Sequence, residues 1–305
     1  MTYSADDHAL LVAAVREAGA IALQHFRTDV KAWEKQGGTP VSDADIAVNQ
    51  HLHRRLGEAR PEYGWLSEET EDDPSRLTRR RVWVVDPIDG TKAFLAGTPH
   101  FCQAVALVEG GRPILAALFN PAADEFYEAV AGHGAKLNGR RIRVSDRSNL
   151  EGCRIAAFEP MFRHPAWREV WPPMNVIDRN SVAYRLALVA SGEVDAALGL
   201  NSKNDWDLAA ADLIVCEAGG RVTLHDGRPL TYNTELASHR SFIAAGPAMH
   251  DVLFERVGQL KLRAQQAKTG YPDYLVRHCE RSEAIHGRKQ RLDCFVAVAP
   301  RNDEN

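Results

Sequence analysis

The sequence predicts an α+β fold with an antiparallel-sheet N-terminal half and an α/β C-terminal half, and three observations carry that prediction. The stretch CQAVALVEGGRPILAALFNPAADEFYEAVAGHGAKLNG, from Cys102 to Gly139, reads as successive apolar strands broken at Gly110-Gly111, Asn120-Pro121 and Gly132 to Gly134, which is an antiparallel meander. Near residue 150 the pattern changes to shorter apolar runs alternating with helical ones, as in an α/β arrangement. With 305 residues and 45% apolar content, the chain can bury a substantial core in one large or two smaller domains. The organisation expected is an α+β half over residues 1–150, an α/β half over 151–259 and a disordered C-terminal extension over 260–305.

Taken in order, residues 5 to 27 place Leu10, Ala14, Ala18, Ile21 and His25 at steps of three or four, one helical face on a core. The segment KQGGTPVSDAD, Lys35 to Asp45, reads as a loop that delivers an N-cap, Ser42 or Asp43, to a helix running to about Leu56. Asp45 falls in the first turn of that helix, where the dipole favours a carboxylate with or without a metal. His51 and His53, two apart on a helix, face different ways and make no metal pair. From Tyr63, YGWLSEET suggests a short strand ending in the paired acids Glu68 and Glu69. The run EDDPSRLTRR after it reads as a solvated surface loop.

The stretch VWVVDPIDGTKAFLA, residues 82 to 96, is the centre of the chain. Val82 to Val85 form a buried strand that breaks into Asp86, Pro87, Ile88, Asp89, Gly90 and Thr91, so two carboxylates stand at a strand end. Pro87 fixes one dihedral and Gly90 permits a backbone conformation closed to other residues. Thr91 to Ala96 reads as a short helix whose first amides, those of Gly90, Thr91 and Lys92, lack internal partners and attract anions. Acids that attract metal thus adjoin amides that attract phosphate. The plain alternative is that Asp89 caps this helix and Asp86 pairs with a distant arginine.

In the C-terminal half, RIAAF reads as a strand, PAWREVW as a helical stretch, Ser181 to Ala190 as a helix, Val194 to Leu198 as a strand and Asp207 to Ala218 as a helix stopped by Gly219-Gly220. Asp207 falls in the first turn of the last, beside a cap at Asn204 or Asp205. Beyond about residue 259 the chain turns basic and polar without sustained periodicity. Its phrase RHCERSEAIHGRKQRLDCFVA is similar to peptides obtained by translating a bacterial intergenic repeat, which marks an acquired, disordered extension; the functional alternative is a nucleic-acid tail.

Composition narrows the function. Without about 18 uninterrupted apolar residues, no membrane span is expected. The start, MTYSADDHAL, lacks a basic region followed by an apolar one, so a cytoplasmic protein is expected. The five cysteines, at 102, 153, 216, 279 and 294, are scattered and odd in number, which argues against a disulfide framework or a zinc site. A formal charge of −4 gives no reason to expect duplex nucleic acid as a partner.

WVVDPIDGTKAF, preceded by Glu68-Glu69 and followed far downstream by WDLAAADLIVCEAGG (Trp206 to Gly220), resembles the inositol monophosphatase family of Mg²⁺-dependent, lithium-sensitive phosphomonoesterases, over about residues 5 to 258. The resemblance implies a layered αβαβα sandwich, a homodimer and a small phosphorylated substrate. It implies that Glu68, Asp86 and the Ile88 carbonyl hold one Mg²⁺, that Asp86, Asp89 and Asp207 hold a second, and that some relatives hold a third, weaker ion. Such an arrangement answers a conflict in the sequence itself: two carboxylates about 5 Å apart repel by roughly 3 kcal/mol at an effective dielectric of about 20, and hard cations with oxygen ligands relieve this. One metal then acidifies a water that Thr91 and Glu68 orient for attack on phosphorus, with Asp45, the last residue of a T-x-x-D-like pattern beginning here at Ser42, close by. The Gly90 and Thr91 amides and Lys92 hold the phosphate. Ser67 replaces the glycine of the family's G-E-E motif, a small-for-small change.

Substrate is less legible. Relatives specific for inositol phosphates carry a glutamate about seven residues before the W-D aspartate, where this chain has Leu200. The G-T-K triplet resembles the 3′(2′),5′-bisphosphate nucleotidase branch, whose Y-P-R and E-W-D-T signatures are absent. Lys92 and the polar loop Asn201 to Asn204 favour broad activity on small phosphate monoesters, nucleotide bisphosphates included. From other classes, the alternatives are a non-catalytic, metal-dependent phosphate-binding regulator and a two-metal nuclease; the latter lacks a basic groove.

Overall fold

The computed structural model describes residues 4–35, 39–165 and 167–261. Helix α1 (Ala5–His25) leads through the hairpin β1 (Ala32–Glu34) and β2 (Pro40–Ser42) to α2 (Asp43–Leu52), which one π-helical turn extends over His53–Gly57. Then follow β3 (Gly64–Ser67), β4 (Arg81–Asp89), α3 (Thr91–Leu95), β5 (Cys102–Glu109), β6 (Arg112–Asn120), β7 (Glu125–Val130), β8 (Gly134–Leu137) and β9 (Arg140–Arg141). The second half supplies β10 (Arg154–Ala156), β11 (Asn175–Ile177), α4 (Val182–Ala190), β12 (Ala196–Gly199), β13 (Lys203–Asn204), α5 (Asp205–Glu217), β14 (Arg221–Thr223), β15 (Ser238–His239), β16 (Phe242–Ala245) and α6 (Pro247–Val257).

Strands β3 to β9 lie side by side in sequence order. From β4 onward the pairing is the antiparallel meander that the turn residues predict, but β3 joins β4 in parallel, with Ser67 opposite Val85. That pairing brings the Glu68-Glu69 end of β3 to the same edge as the acidic end of β4. The other sheet, in the order β11-β10-β12-β16-β14, pairs β10 in parallel with β11 and β12 and sets β16 antiparallel to its neighbours.

Period-two alternation divides the large sheet between two cores. Trp83, Val85, Val105 and Leu107 pack on Leu11, Val15, Ala18, Val48 and Leu52 of α1 and α2. Val82, Val84, Ala104 and Ala106 face the other way, onto Leu186, Val189, Leu208, Ala211 and Val215 of α4 and α5, whose cluster continues to Ala197 and Phe242 of the small sheet. Beyond it, Ile155, Ala196, Leu198 and Ile243 meet Met249, Leu253 and Val257 of α6. The layers therefore run α, β, α, β, α, as the resemblance implies.

Three local readings change. PAWREVW forms no helix over the described residues 167–171; a 3₁₀ turn at Glu159–Arg163 precedes it. Pro165, Pro172 and Pro173 interrupt the segment, and its aromatic spacing serves packing instead, with the Trp167 and Trp171 rings edge to face at 5.1 Å. In EDDPSRLTRR, Pro74–Thr78 is a 3₁₀ turn that buries Arg76 to 1% exposure, so this charge run is not simply solvated. Leu260, assigned from sequence to the extension, packs on the third core, and its carbonyl lies 2.9 Å from His225 Nε2. Residues 262–305 of the expected extension lie outside the described residues, Cys279 and Cys294 among them. Cys102, Cys153 and Cys216 are free thiols.

Candidate metal and phosphate site

Strand β4 is buried up to Asp89, and its register against β5 shifts between Asp86 and Asp89, so the ladder opens where the two acids stand. Gly90 follows with φ of 98°. A Cβ at this position would lie 2.7 Å from the His100 carbonyl oxygen and 3.0 Å from Ser181 Cβ, so both the conformation and the space demand glycine. Helix α3 then begins at Thr91 with Gly90 as its N-cap.

Asp86, Asp89 and Asp207 each bring an oxygen within 4.8 Å of the others. Asp86 is 1% exposed, and neither of its carboxylate oxygens has a hydrogen-bond partner among the described residues. The arginine partner of the plain alternative is therefore absent. Asp89 is a cap, but of a different helix: its Oδ2 accepts from the Ser181 hydroxyl at 2.6 Å and from the Ala183 amide at 2.5 Å, at the start of α4. Asp207 is the third residue of α5, and its Oδ2 accepts the Asn204 amide at 2.7 Å, which ties one oxygen back to the helix start.

Helix α2 repeats that device. The Ser42 amide and hydroxyl both donate to Asp45 Oδ2, at 2.8 and 2.5 Å, so Ser42 is the cap. The other oxygen, Oδ1, accepts from Thr91 Oγ1 at 3.0 Å, and Thr91 also lies 3.1 Å from the Ile88 carbonyl oxygen. Glu68 stands outside the aspartate triad. Its Oε1 accepts from Lys35 Nζ at 3.2 Å, and the same ammonium binds the largely buried Glu69. Lys92 is exposed, and Leu200 is buried.

The electrostatics follow from burial and crowding. Burial, then the charges of Glu68, Asp89, Asp207 and Asp45, pushes the Asp86 carboxyl far above the usual carboxylate range. Burial and the neighbouring Asp89 charge raise Asp207 to about 7, against a lowering by Lys203. Asp89 is also raised by burial, opposed by the donors Ser181, Ala183 and Val182. Burial raises Asp45 despite its bonds to Ser42 and Thr91, and raises Glu69 to about 7 despite Lys35. Carboxylates packed this way call for a cation, and oxygen-only donors suit a hard divalent one. The aspartate cluster can therefore hold a metal.

Sequence reasoning missed Lys35, Ser181 and Ala183. The serine is visible as a cap before VAYRLALVA, yet nothing local shows that it also grips Asp89 from the other half of the chain. Lys35 leaves no signal beyond a polar loop.

The sequence model described as the inositol monophosphatase family matches residues 6–261. A relative named inositol-1-monophosphatase from Rhizobium meliloti is 40% identical over 195 residues, covering 61% of this chain and 73% of the relative. One named Nus factor SuhB from Xylella fastidiosa is 36% identical over 223 residues, covering 70% and 80%. Among solved structures, the extragenic suppressor protein suhB of Bartonella henselae matches with a TM-score of 0.70 at 29% identity, over 82% of this chain and 97% of that one. The Thermotoga maritima IMPase matches with a TM-score of 0.69 at 30% identity, over 81% and 94%. With the family pattern spanning both halves of the fold and including every acid of the cluster, the chain belongs to the inositol monophosphatase family.

Proposed function

We propose that this protein hydrolyses small phosphate monoesters with Mg²⁺ held by its acidic cluster. The observation that carries the reading is Asp86, a buried carboxylate whose two oxygens have no hydrogen-bond partner among the described residues and which lies beside Asp89 and Asp207. Glu68, Asp86 and the Ile88 carbonyl would hold one ion, and Asp86, Asp89 and Asp207 a second. Bound Mg²⁺ supplies an acidified water and offsets charge on the leaving alkoxide.

The chain's own groups do the rest. With its one hydroxyl proton engaged by Asp45 Oδ1 or the Ile88 carbonyl, Thr91 keeps lone pairs on Oγ1 to accept from an attacking water. Glu68 is the second acceptor for that water, and Lys35 steadies its carboxylate. The amides of Gly90 and Thr91 meet phosphate oxygens, and exposed Lys92 adds a charge-assisted contact. Leu200 offers no acceptor for a polyol hydroxyl, which supports broad monoester activity in which nucleotide bisphosphates are at least as good as inositol 1-phosphate.

A second reading, a metal-dependent phosphate-binding regulator, is favoured by one observation: relatives such as that of Xylella fastidiosa carry the name Nus factor SuhB. A panel of phosphate monoesters assayed with Mg²⁺, with excess chelator and with millimolar Li⁺ separates the two. Turnover that chelator abolishes and Li⁺ suppresses supports the phosphatase. Phosphate-ester binding without any turnover supports the regulator.

A further inference from the structure

Arg76 is 1% exposed, yet it sits in a short turn of the charged connection between β3 and β4. Its guanidinium pairs with the half-exposed Asp72 and meets the segment that precedes β15, distant in sequence, donating to Asn233 Oδ1 at 2.7 Å and to the Thr234 carbonyl at 3.1 Å. Asn233 answers by donating Nδ2 to the Arg76 carbonyl at 3.3 Å. Gly64 on β3 makes the room, since a Cβ there would lie 3.0 Å from Arg76 Cβ. Removing a guanidinium from water is costly, and an apolar residue would pack the same gap with no such penalty. The arrangement therefore specifies position more than it adds stability.

What it positions is the start of α5. Asn233 has φ of 57°, and in that conformation its own amide donates to Asp205 Oδ2 at 2.7 Å. Asp205 is fully buried; its Oδ1 lies 3.0 Å from His239 Nε2, and its amide donates to the Ala237 carbonyl at 2.8 Å. Asp205 opens the helix on which Asp207 is the third residue. The same Arg76 belongs to the segment that follows Glu68-Glu69, whose strand is registered to β4 and hence to Asp86.

We propose that Arg76 and Asn233 are positioning residues for the metal site, fixing the helix start that carries Asp207 against the connection that leaves Glu68 and leads into β4 and Asp86. Neither touches the cluster; each acts through Asp205. The inference rests on the reading of that cluster as a Mg²⁺ site, and its test separates the two. In Asn233→Gly, the left-handed backbone conformation suits glycine, so the fold is kept while both side-chain bonds to Arg76 are lost. Mg²⁺ binding to the full-length protein without substrate, measured by calorimetry, should weaken roughly tenfold, the scale on which remote supports of a metal ligand act. The metal-free melting temperature should fall by only a few degrees, because Arg76 loses Asn233 but keeps Asp72 and the Thr234 carbonyl as partners. Asn233→Asp, which keeps an acceptor for Arg76, should recover most of the affinity. If Asn233→Gly binds Mg²⁺ as wild type does, or if Asn233→Asp is as weak as Asn233→Gly, the positioning role is overturned while the metal site stands. If wild type itself binds no Mg²⁺, both fall.

Discussion

Replacing Asp86 by asparagine should make the metal-free protein more stable and the enzyme almost inactive. In the absence of metal, Asp86 lies within 4.8 Å of two other carboxylates, and at an effective dielectric of about 20 each fully charged pair at that distance repels by roughly 3 kcal/mol. Burial and those charges push the Asp86 carboxyl well above the usual carboxylate range, which opposes its ionisation, so less than the full repulsion is there to be relieved. An asparagine amide can donate to the neighbouring acids, so the expected gain is about 1–3 kcal/mol, a rise in melting temperature of several degrees for a protein of this size. Catalysis should move the opposite way. Losing the one acid proposed to serve both ions removes at least about 4 kcal/mol of transition-state stabilisation, more than a thousandfold in rate. The assay pairs thermal melts in chelator with phosphate release during Mg²⁺ titration. Activity within tenfold of wild type would sink the two-metal assignment, and a metal-free variant no more stable than wild type would sink the electrostatic account.

Three further outcomes are expected. Because the folded-state pKa values of Asp86, Asp89, Asp207 and Glu69 lie above the ordinary carboxylate range, the native state binds more protons than the unfolded chain between about pH 4 and pH 7. Metal-free stability should therefore fall as pH rises through that window and the melts should flatten with saturating Mg²⁺; a metal-free melting temperature that climbs from pH 5 to pH 8 would contradict the shifts. Lys92→Ala should raise KM more for a nucleotide bisphosphate than for inositol 1-phosphate, because an additional anionic group loses its contact; a wild-type preference for inositol 1-phosphate above about a hundredfold, with equal effects of the variant on both substrates, would refute this. Ending the chain after Lys261 should leave folding and turnover intact, whereas ending it at Val257 removes the packed Leu260 and its bond to His225 and should lower the melting temperature measurably.

The Asp86–Asp89 turn was legible because its chemistry is local, whereas the roles of Glu68, Asp45 and Asp207 came only from the family resemblance. A buried run breaking at Asp86, with Gly90 three residues past Pro87, signals a strand end and a tight turn from composition alone, and Asp207 announces itself as a first-turn acid. The meander was equally plain from its turn residues. What the sequence hid depends on partners far away in the chain. Nothing near Asp89 foretells that it caps α4, and the run around Arg76 looks like any solvated loop until Asn233 is placed beside it. The parallel pairing of β3 was hidden for the same reason: strand direction within a sheet is set by where the connection travels, not by the residues of the strand. PAWREVW misleads because Trp167 and Trp171 have helical spacing but are held by ring packing between prolines.

The middle helical layer also sets an order of events during synthesis. The large sheet needs α4 and α5 to cover its second face, yet those helices are encoded more than forty residues after its last strand. At ribosomal speeds of roughly 5–20 residues per second, that sheet would wait several seconds with Val82, Val84, Ala104 and Ala106 exposed to water. Such a face is a target for self-association and for chaperones until the second half arrives. Asp207 arrives with that half, so the aspartate triad gathers only as the second face of the sheet is covered, and completion of the acidic cluster coincides with the end of the aggregation hazard.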